Sequence, residues 1–417
     1  MKEYRPTLNA IKQAVATLKH VVTETPLQRN LTYSVKYESN VYLKREDLQQ
    51  VRSYKIRGAY NKISALSGDN RAHGIICASA GNHAQGVAYA CKTLCIEGVI
   101  VMPSPTPKQK IEQVKMFGGE FVEVILEGDT FDDAYQSAKF LSESSGRIFI
   151  HPFNDEKVIE GQATIGLELL NQLKTPIDFV FVPVGGGGLA AGLSSVFKLL
   201  SPNTKIIGVE PKGASSMQQA IRENKVVRLA KIDKFVDGAA VQQVGELTFP
   251  ICKANLDDMI TVPEGKVCQT ILDLYDKQAI VVEPAGALTI TALDEYANEI
   301  KGKQVICIIS GSNNDITRMA EIKERALLYK KLKHYFIIKF PQRAGALKEF
   351  VIDVLGETDD ITFFEYSKKT SRENGPAVVG IELEKREALP VLIERMKERD
   401  FYGEYLNVNP NLFQFLV

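Results

Sequence analysis

A single lysine, Lys55, stands in Ser53-Tyr54-Lys55-Ile56-Arg57-Gly58-Ala59, framed by small residues. Before it comes Leu43-Lys44-Arg45-Glu46-Asp47-Leu48, which reads as a strand running into a turn. Among 51 lysines and arginines one amine means little by itself. In a poorly solvated pocket, however, a lysine loses proton affinity, becomes a nucleophile and can form an imine; once released, the same amine is a base. Three other segments supply what such an amine needs. Ser79-Ala80-Gly81-Asn82-His83-Ala84-Gln85-Gly86 offers backbone N–H groups and hydroxyls to a carboxylate, with the Asn82 amide available to a ring hydroxyl. Gly185-Gly186-Gly187-Gly188-Leu189 follows an apolar run and opens a helix, which makes a phosphate cradle. Ser310-Gly311-Ser312-Asn313 brings a hydroxyl that suits a ring nitrogen. Together they describe a pocket for pyridoxal 5′-phosphate. A serine on the ring nitrogen does not hold the ring protonated, which favours prompt loss of a β-leaving group over transamination.

Each segment has a plainer reading when taken alone. Lys55 is then a solvated amine, and the Ser79 and Ser310 segments are helix caps. The pattern Gly185-x-Gly187-x-x-Ala190, with Glu210 at the end of the next strand, also fits a dinucleotide fingerprint. That fingerprint would sit in mid-chain and leave Lys55 and Asn82 without a purpose, whereas the coenzyme pocket uses all four segments.

Alternating strands and helices are predicted to carry these residues. Strands are expected at 74–78, 98–102, 120–125, 179–184, 205–209 and 304–309. Helices are expected at 7–20, 82–94, 107–117, 130–143, 160–172, 189–199 and 265–278. Continuous apolar strands between helices imply an α/β fold with parallel sheets covered on both faces. After a charged amphipathic helix at 316–333 the texture changes. Strands at 334–340, 361–367 and 377–383, helices at 345–355 and 387–399, and a short closing strand spell a ferredoxin-like βαββαβ unit.

Composition narrows the class further. Charged residues balance at 51 of each sign, so no tail draws the chain toward nucleic acid or anionic membrane. No apolar stretch approaches the roughly 18 residues of a membrane span. The amino terminus lacks the apolar core of a signal peptide, and a cytoplasmic location is expected. Six scattered cysteines read as buried free thiols, with Cys91 and Cys95 spaced to share a helix face.

The motifs resemble those of fold-type II pyridoxal-phosphate enzymes, and specifically of the threonine dehydratase (threonine ammonia-lyase) family. The resemblance covers about residues 5–320 and includes His151-Pro152-Phe153-Asn154, Val236-Asp237-Gly238-Ala239-Ala240-Val241 and Glu283-Pro284-Ala285-Gly286-Ala287 beside the segments above. It implies Lys55 as the Schiff-base lysine, Asn82 on the ring hydroxyl, Gly185, Gly186, Gly187, Gly188 and Leu189 on the phosphate, and Ser310 on the ring nitrogen. Ser79, Gly81, Asn82 and His83 are implied around the substrate carboxylate. Tyr54 stands where Phe is commoner, and Ser312 where a second Gly is frequent. The unit with Pro341-Gln342-Arg343-Ala344-Gly345-Ala346-Leu347 at its first strand–helix turn looks like an ACT-like regulatory domain. Biosynthetic members carry such domains and answer to isoleucine; longer members have two copies, and this chain has room for one.

The expected layout is a catalytic domain at 1–320, with a smaller lobe at roughly 65–147, then a connector at 321–333 and a regulatory domain at 334–417. The expected partners are L-threonine and L-serine as substrates, isoleucine or valine as effector, and further copies of the chain as a homo-oligomer, dimer or tetramer. Relatives hold a cation near the segment Val209-Glu210-Pro211-Lys212-Gly213-Ala214-Ser215-Ser216 through a Glu, a carbonyl and an Asp. Here Ser216 replaces that Asp, so no metal is expected. Glu283 has no evident chemical part: it either reaches the pocket or caps the helix after Pro284. A serine racemase or β-replacement enzyme on the same fold, or an amino-acid sensor built on a degenerate scaffold, are the competing readings.

Overall fold

The runs rich in Val and Ile, bounded by Gly, Pro and Asn, form the strands. They are β1 (Leu27–Arg29), β2 (Asn40–Arg45), β3 (Ile75–Ala78), β4 (Gly98–Met102), β5 (Val122–Leu126), β6 (Ile148–Phe149), β7 (Phe179–Pro183), β8 (Lys205–Pro211), β9 (Asp258–Val262), β10 (Gln304–Ile309), β11 (Lys333–Pro341), β12 (Asp360–Tyr366), β13 (Asn374–Glu382) and β14 (Tyr402–Tyr405). The computed structural model describes residues 4–366 and 374–409. Residues 367–373 and 410–417 of the expected regulatory domain, the first of them the end of one expected strand, lie outside the described residues.

The chain divides into two compact units, Met1–Asn314 and Asp315–Val417. The first contains a six-stranded sheet in the order β1-β2-β10-β7-β8-β9 and a four-stranded sheet in the order β5-β4-β3-β6. Every strand of the smaller sheet falls between β2 and β7 in the chain. All pairs are parallel except β1, which runs antiparallel to β2. The large sheet is thus mixed at that edge, where the chain between β1 and β2 is too short for a parallel crossover. In β7 every residue is buried, as a strand covered on both faces requires.

Register sets the site. Ile309 pairs with Arg45, and Cys307 with Phe181, so β2, β10 and β7 end side by side at their carboxyl ends. The segments leading to Lys55, Ser310 and Gly185 therefore leave the sheet together, at the edge where open α/β sheets bind ligands. Behind them, helix Glu156–Gln172 lies so close to helix Lys55–Ser64 that a Cβ on Gly161 would stand 2.6 Å from the Arg57 carbonyl oxygen. Two separate apolar clusters support the two sheets, one around Val180, Val182 and Phe197, the other around Ile75, Ile100 and Val87.

Differences from the expected elements are local. Helix Glu156–Gln172 begins earlier than 160 because Asp155 caps it, accepting from the N–H of Lys157 and Val158. β5 starts later than 120 because Gly119–Phe121 forms a 3-10 turn. Cys95 is exposed, unlike Cys91: it sits in a left-handed helix cap at φ 53° that turns it away from the helix face.

The second unit opens with helix Met319–Tyr329 and carries an antiparallel sheet in the order β12-β13-β11-β14. With helices Ala346–Glu349 and Ala388–Glu398 this is the ferredoxin-like βαββαβ arrangement. The first of those helices runs into a π-helical turn, Phe350–Val354. The unit has its own core, which includes Phe336, Phe350, Val379, Leu392 and Phe401.

Candidate active site

Lys55 begins the helix Lys55–Ser64. It is anchored from behind: Ser53 bridges to Gly311, and the Tyr54 N–H donates to the Ser310 carbonyl at 3.2 Å. Its Nζ donates to the Pro152 carbonyl at 3.1 Å. Burial pushes the amine down to about 8, against the pull of the nearby Glu283 carboxylate. Two residues on, Arg57 ties the helix to its surroundings. Its guanidinium, fully buried, donates to Glu46 at 2.8 Å and to Glu168 at 2.6 Å. Lys44 donates to Glu168 at 2.6 Å and to the Thr25 carbonyl at 2.7 Å. Burial alone would raise the Glu46 carboxyl; Arg57, Lys44 and the Thr25 hydroxyl hold it below the usual carboxylate range.

The His151-Pro152-Phe153-Asn154 turn delivers three contacts. His151 Nδ1 accepts the N–H of Phe153 and of Asn154, at 3.2 and 2.9 Å. Burial, with Lys139 and Lys55 nearby, pushes that imidazole down to about 4 and keeps it an acceptor. The turn thereby directs the Pro152 carbonyl to Lys55, lays the Phe153 ring over the glycine loop, and lets Asn154 Oδ1 accept from the Leu247 N–H at 2.8 Å.

In that loop Gly186 can be nothing larger, since a Cβ would lie 2.3 Å from the Phe153 ring. Gly187 takes φ 92°, a left-handed conformation that favours glycine, and caps helix Gly188–Leu200. The Thr248 hydroxyl donates to the Gly186 carbonyl at 2.6 Å, and the Ala191 N–H to the Gly187 carbonyl at 2.8 Å. With those carbonyls turned into the protein, the N–H groups of Gly185, Gly186, Gly187, Gly188 and Leu189 are left for an anion at the positive end of the helix.

β3 leads into the Ser79–His83 segment, where the Gly81 N–H donates to Ser79 Oγ at 3.3 Å and helix Asn82–Leu94 begins. A Cβ on Gly81 would meet no atom within 4 Å, so the segment faces open space. His83 is buried and donates from Nε2 to the Ile150 carbonyl at 2.9 Å; burial and the Lys55 charge push it down to about 3, so the ring is neutral. What His83 turns toward the helix start is its backbone N–H. Asn82 Nδ2 donates to both Glu283 oxygens, at 2.7 and 2.9 Å, and its Oδ1 accepts from Asn313 Nδ2 at 2.5 Å. Ser310 Oγ is buried and has no hydrogen-bond partner among the described residues. A buried hydroxyl in that condition suits a ligand atom.

Sequence reasoning left Glu283, Asn313, Phe153 and Thr248 without roles. Glu283 makes no helix cap with its side chain. It is pushed up to about 7 by burial and by Asp237, against the Asn82 amide, Lys110 and the Asn313 N–H. Only its position just before Pro284 marked it. Glu210, the ribose-binding residue of the dinucleotide alternative, is buried and spends its oxygens on the N–H of Met217 and Gln218, at 2.7 and 2.9 Å. Burial pushes it up to about 8. Among the described residues no group of three or more His, Cys, Asp or Glu is arranged to hold a metal ion.

A buried amine of reduced proton affinity, an anion cradle and a buried unpartnered hydroxyl leave one edge of the larger sheet, and a side-chain amide approaches from the end of β3 in the smaller sheet. This donor set fits pyridoxal phosphate: amine for aldehyde, N–H cradle for phosphate, amide for ring oxygen, hydroxyl for ring nitrogen. Comparison with known proteins agrees. The profile of the family "Pyridoxal-phosphate dependent enzyme" matches residues 18–311, and that of the "C-terminal regulatory domain of Threonine dehydratase" matches residues 324–416. The chain is 55% identical over 401 residues to the biosynthetic L-threonine dehydratase IlvA of Halalkalibacterium halodurans, covering 96% of this chain and 97% of that one. It is 54% identical over 407 residues to the Bacillus subtilis protein of the same name, covering 98% and 96%. Among solved structures, the processed form of threonine deaminase isoform 2 from Solanum lycopersicum superposes with a TM-score of 0.72 at 43% identity, over 78% of this chain and 96% of that one. Maize serine racemase also reaches 0.72, at 31% identity, over 78% and 99%. The chain belongs to the biosynthetic L-threonine dehydratase family of pyridoxal-phosphate dependent enzymes.

Proposed function

We propose that the chain converts L-threonine to 2-oxobutanoate and ammonia, the first step of isoleucine synthesis, and acts on L-serine as well. The observation that carries this is the Lys55 amine, buried and lowered to about 8, where the glycine loop, Asn82 and Ser310 meet. At pH 7 about a tenth of such an amine is neutral, against roughly one part in three thousand for an ordinary lysine. Bound pyridoxal phosphate supplies an electron-withdrawing ring that carries the charge left when the substrate loses its α proton.

Lys55 holds the coenzyme and, when its amine is free, removes that proton. The N–H groups of Gly185, Gly186, Gly187, Gly188 and Leu189 hold the phosphate, Asn82 the ring hydroxyl, and Ser310 the ring nitrogen. Ser79, Gly81, Asn82 and His83 hold the substrate carboxylate at the start of helix Asn82–Leu94. The β-hydroxyl then leaves as water. The enamine product tautomerises to an imine, and water hydrolyses it to keto acid and ammonia. Serine lacks only a methyl, a difference that discriminates by roughly 1–3 kcal/mol, so it reacts too.

Residues 1–320 are read as the catalytic domain, with 65–147 as its smaller lobe and 321–333 as a connector. Residues 334–417 are the ACT-like domain through which isoleucine or valine controls the rate. The enzyme works in the cytoplasm as a homo-oligomer. A steady-state assay with threonine and with serine, each with and without isoleucine and valine and scored by keto-acid product, tests the reading. Coenzyme-loaded protein that releases neither ammonia nor 2-oxobutanoate from threonine would overturn it.

A further inference from the structure

Glu283 is a buried carboxylate in the site that the reaction scheme does not use. Both its oxygens accept from Asn82 Nδ2, with the Asn313 N–H directed at the carboxylate as well, so one Asn82 amide hydrogen serves both oxygens and the other is left over. On the opposite side Asn313 Nδ2 donates to Asn82 Oδ1 at 2.5 Å and to the Val51 carbonyl at 3.0 Å, which uses both its hydrogens. Rotating the Asn82 amide by half a turn would set its oxygen against the carboxylate and its nitrogen against the Asn313 donor. Both contacts would become repulsive together. The neighbourhood leaves no room for slack: a Cβ on Gly311 would lie 2.7 Å from Glu283 Oε1, and one on Gly238 3.1 Å from it.

We infer that Glu283 is a positioning residue of this site, which locks the Asn82 amide so that an N–H remains for the coenzyme ring oxygen and sets the charge that Lys55 experiences. The inference rests on the reading of Lys55 and Asn82 as coenzyme contacts. The other groups facing the pair leave Glu283 in control. Asp237 is paired with Lys110 at 2.8 Å. His83 and His151 are held neutral, near 3 and 4, and burial pushes the Tyr54 phenol up. Glu283, pushed up to about 7, is the neighbour of Lys55 whose charge changes in the working range.

Two substitutions in the full-length chain separate the two roles. Glu283→Gln keeps an acceptor for Asn82 and removes the charge; Glu283→Asp keeps the charge and withdraws it by one methylene. Coenzyme is titrated into protein stripped of it, and the visible absorbance of capture is followed against pH. Glu283→Gln is expected to keep coenzyme affinity within about threefold and to move the pH midpoint of capture down by about half a unit or more, since the carboxylate raises Lys55. Glu283→Asp is expected to weaken affinity roughly tenfold, with a midpoint closer to that of the unaltered chain. An unmoved midpoint in Glu283→Gln, or an unchanged affinity in Glu283→Asp, overturns the inference. A Lys55→Ala chain that still develops borohydride-reducible absorbance would instead overturn the underlying assignment of Lys55, which keeps the two failures apart.

Discussion

Burial favours the neutral form of the Lys55 amine, and the Glu283 carboxylate opposes it. Capture of the coenzyme by stripped protein is therefore expected to rise with pH about a midpoint near 8 rather than 10.5, the ordinary lysine value, when followed by visible absorbance. Glu210 gives the opposite sign in stability. Its folded-state value, about 8, lies above the ordinary 4.5, so its contribution is fully present below 4.5 and is lost as pH rises through 8. Between pH 5 and 9 the unaltered chain should lose melting temperature relative to Glu210→Gln, as scanning calorimetry would record. Lys55, Asn82 and Ser310 were readable as candidates at this scale because each stands in a short segment whose composition is unusual. Glu283 was not, because its meaning lies in a contact with Asn82, 201 positions away.

Among the elements, the glycine loop and helix Lys55–Ser64 carry the site. Gly187→Ala forces a side chain into φ 92° and brings its Cβ to 2.8 Å from Thr248 Oγ1. Stability should fall by about 1–3 kcal/mol and coenzyme affinity at least tenfold, as denaturant unfolding and coenzyme titration would report. Arg57→Met leaves Glu46 buried without its cation, and Glu168 without one of two. The expected loss is about 3–5 kcal/mol in urea unfolding. Strand–helix alternation made most of these elements readable. The short strands β1 and β6 and the 3-10 turns were not, since two- or three-residue elements carry too little periodicity, and neither β9 nor helices Lys55–Ser64 and Thr248–Asn255 were expected.

For the molecule as a whole, the apolar clusters divide with the chain. Those around Val180 and Ile75 lie in Met1–Asn314, and the one around Phe336 lies in Asp315–Val417. A chain ending at residue 320 keeps the first two cores intact. It should bind coenzyme and turn over threonine while losing any response to isoleucine, as assays with and without the effector would reveal. Loss of coenzyme binding on truncation would count against an independent catalytic domain. The ferredoxin-like unit was readable from its change of texture after residue 333, but its strand order was not.

By itself the sequence determined the coenzyme and the kind of fold, because short motifs, their resemblance to a known family and strand–helix periodicity carry that information over a few positions each. Tertiary structure alone decided which partners the candidate site residues have. Glu283 on Asn82, the Pro152 carbonyl on Lys55, Phe153 over Gly186 and the cap that consumes Glu210 all follow from strand register and helix packing. These bring separate segments into contact and withdraw them from water, and no pattern along the chain encodes that juxtaposition.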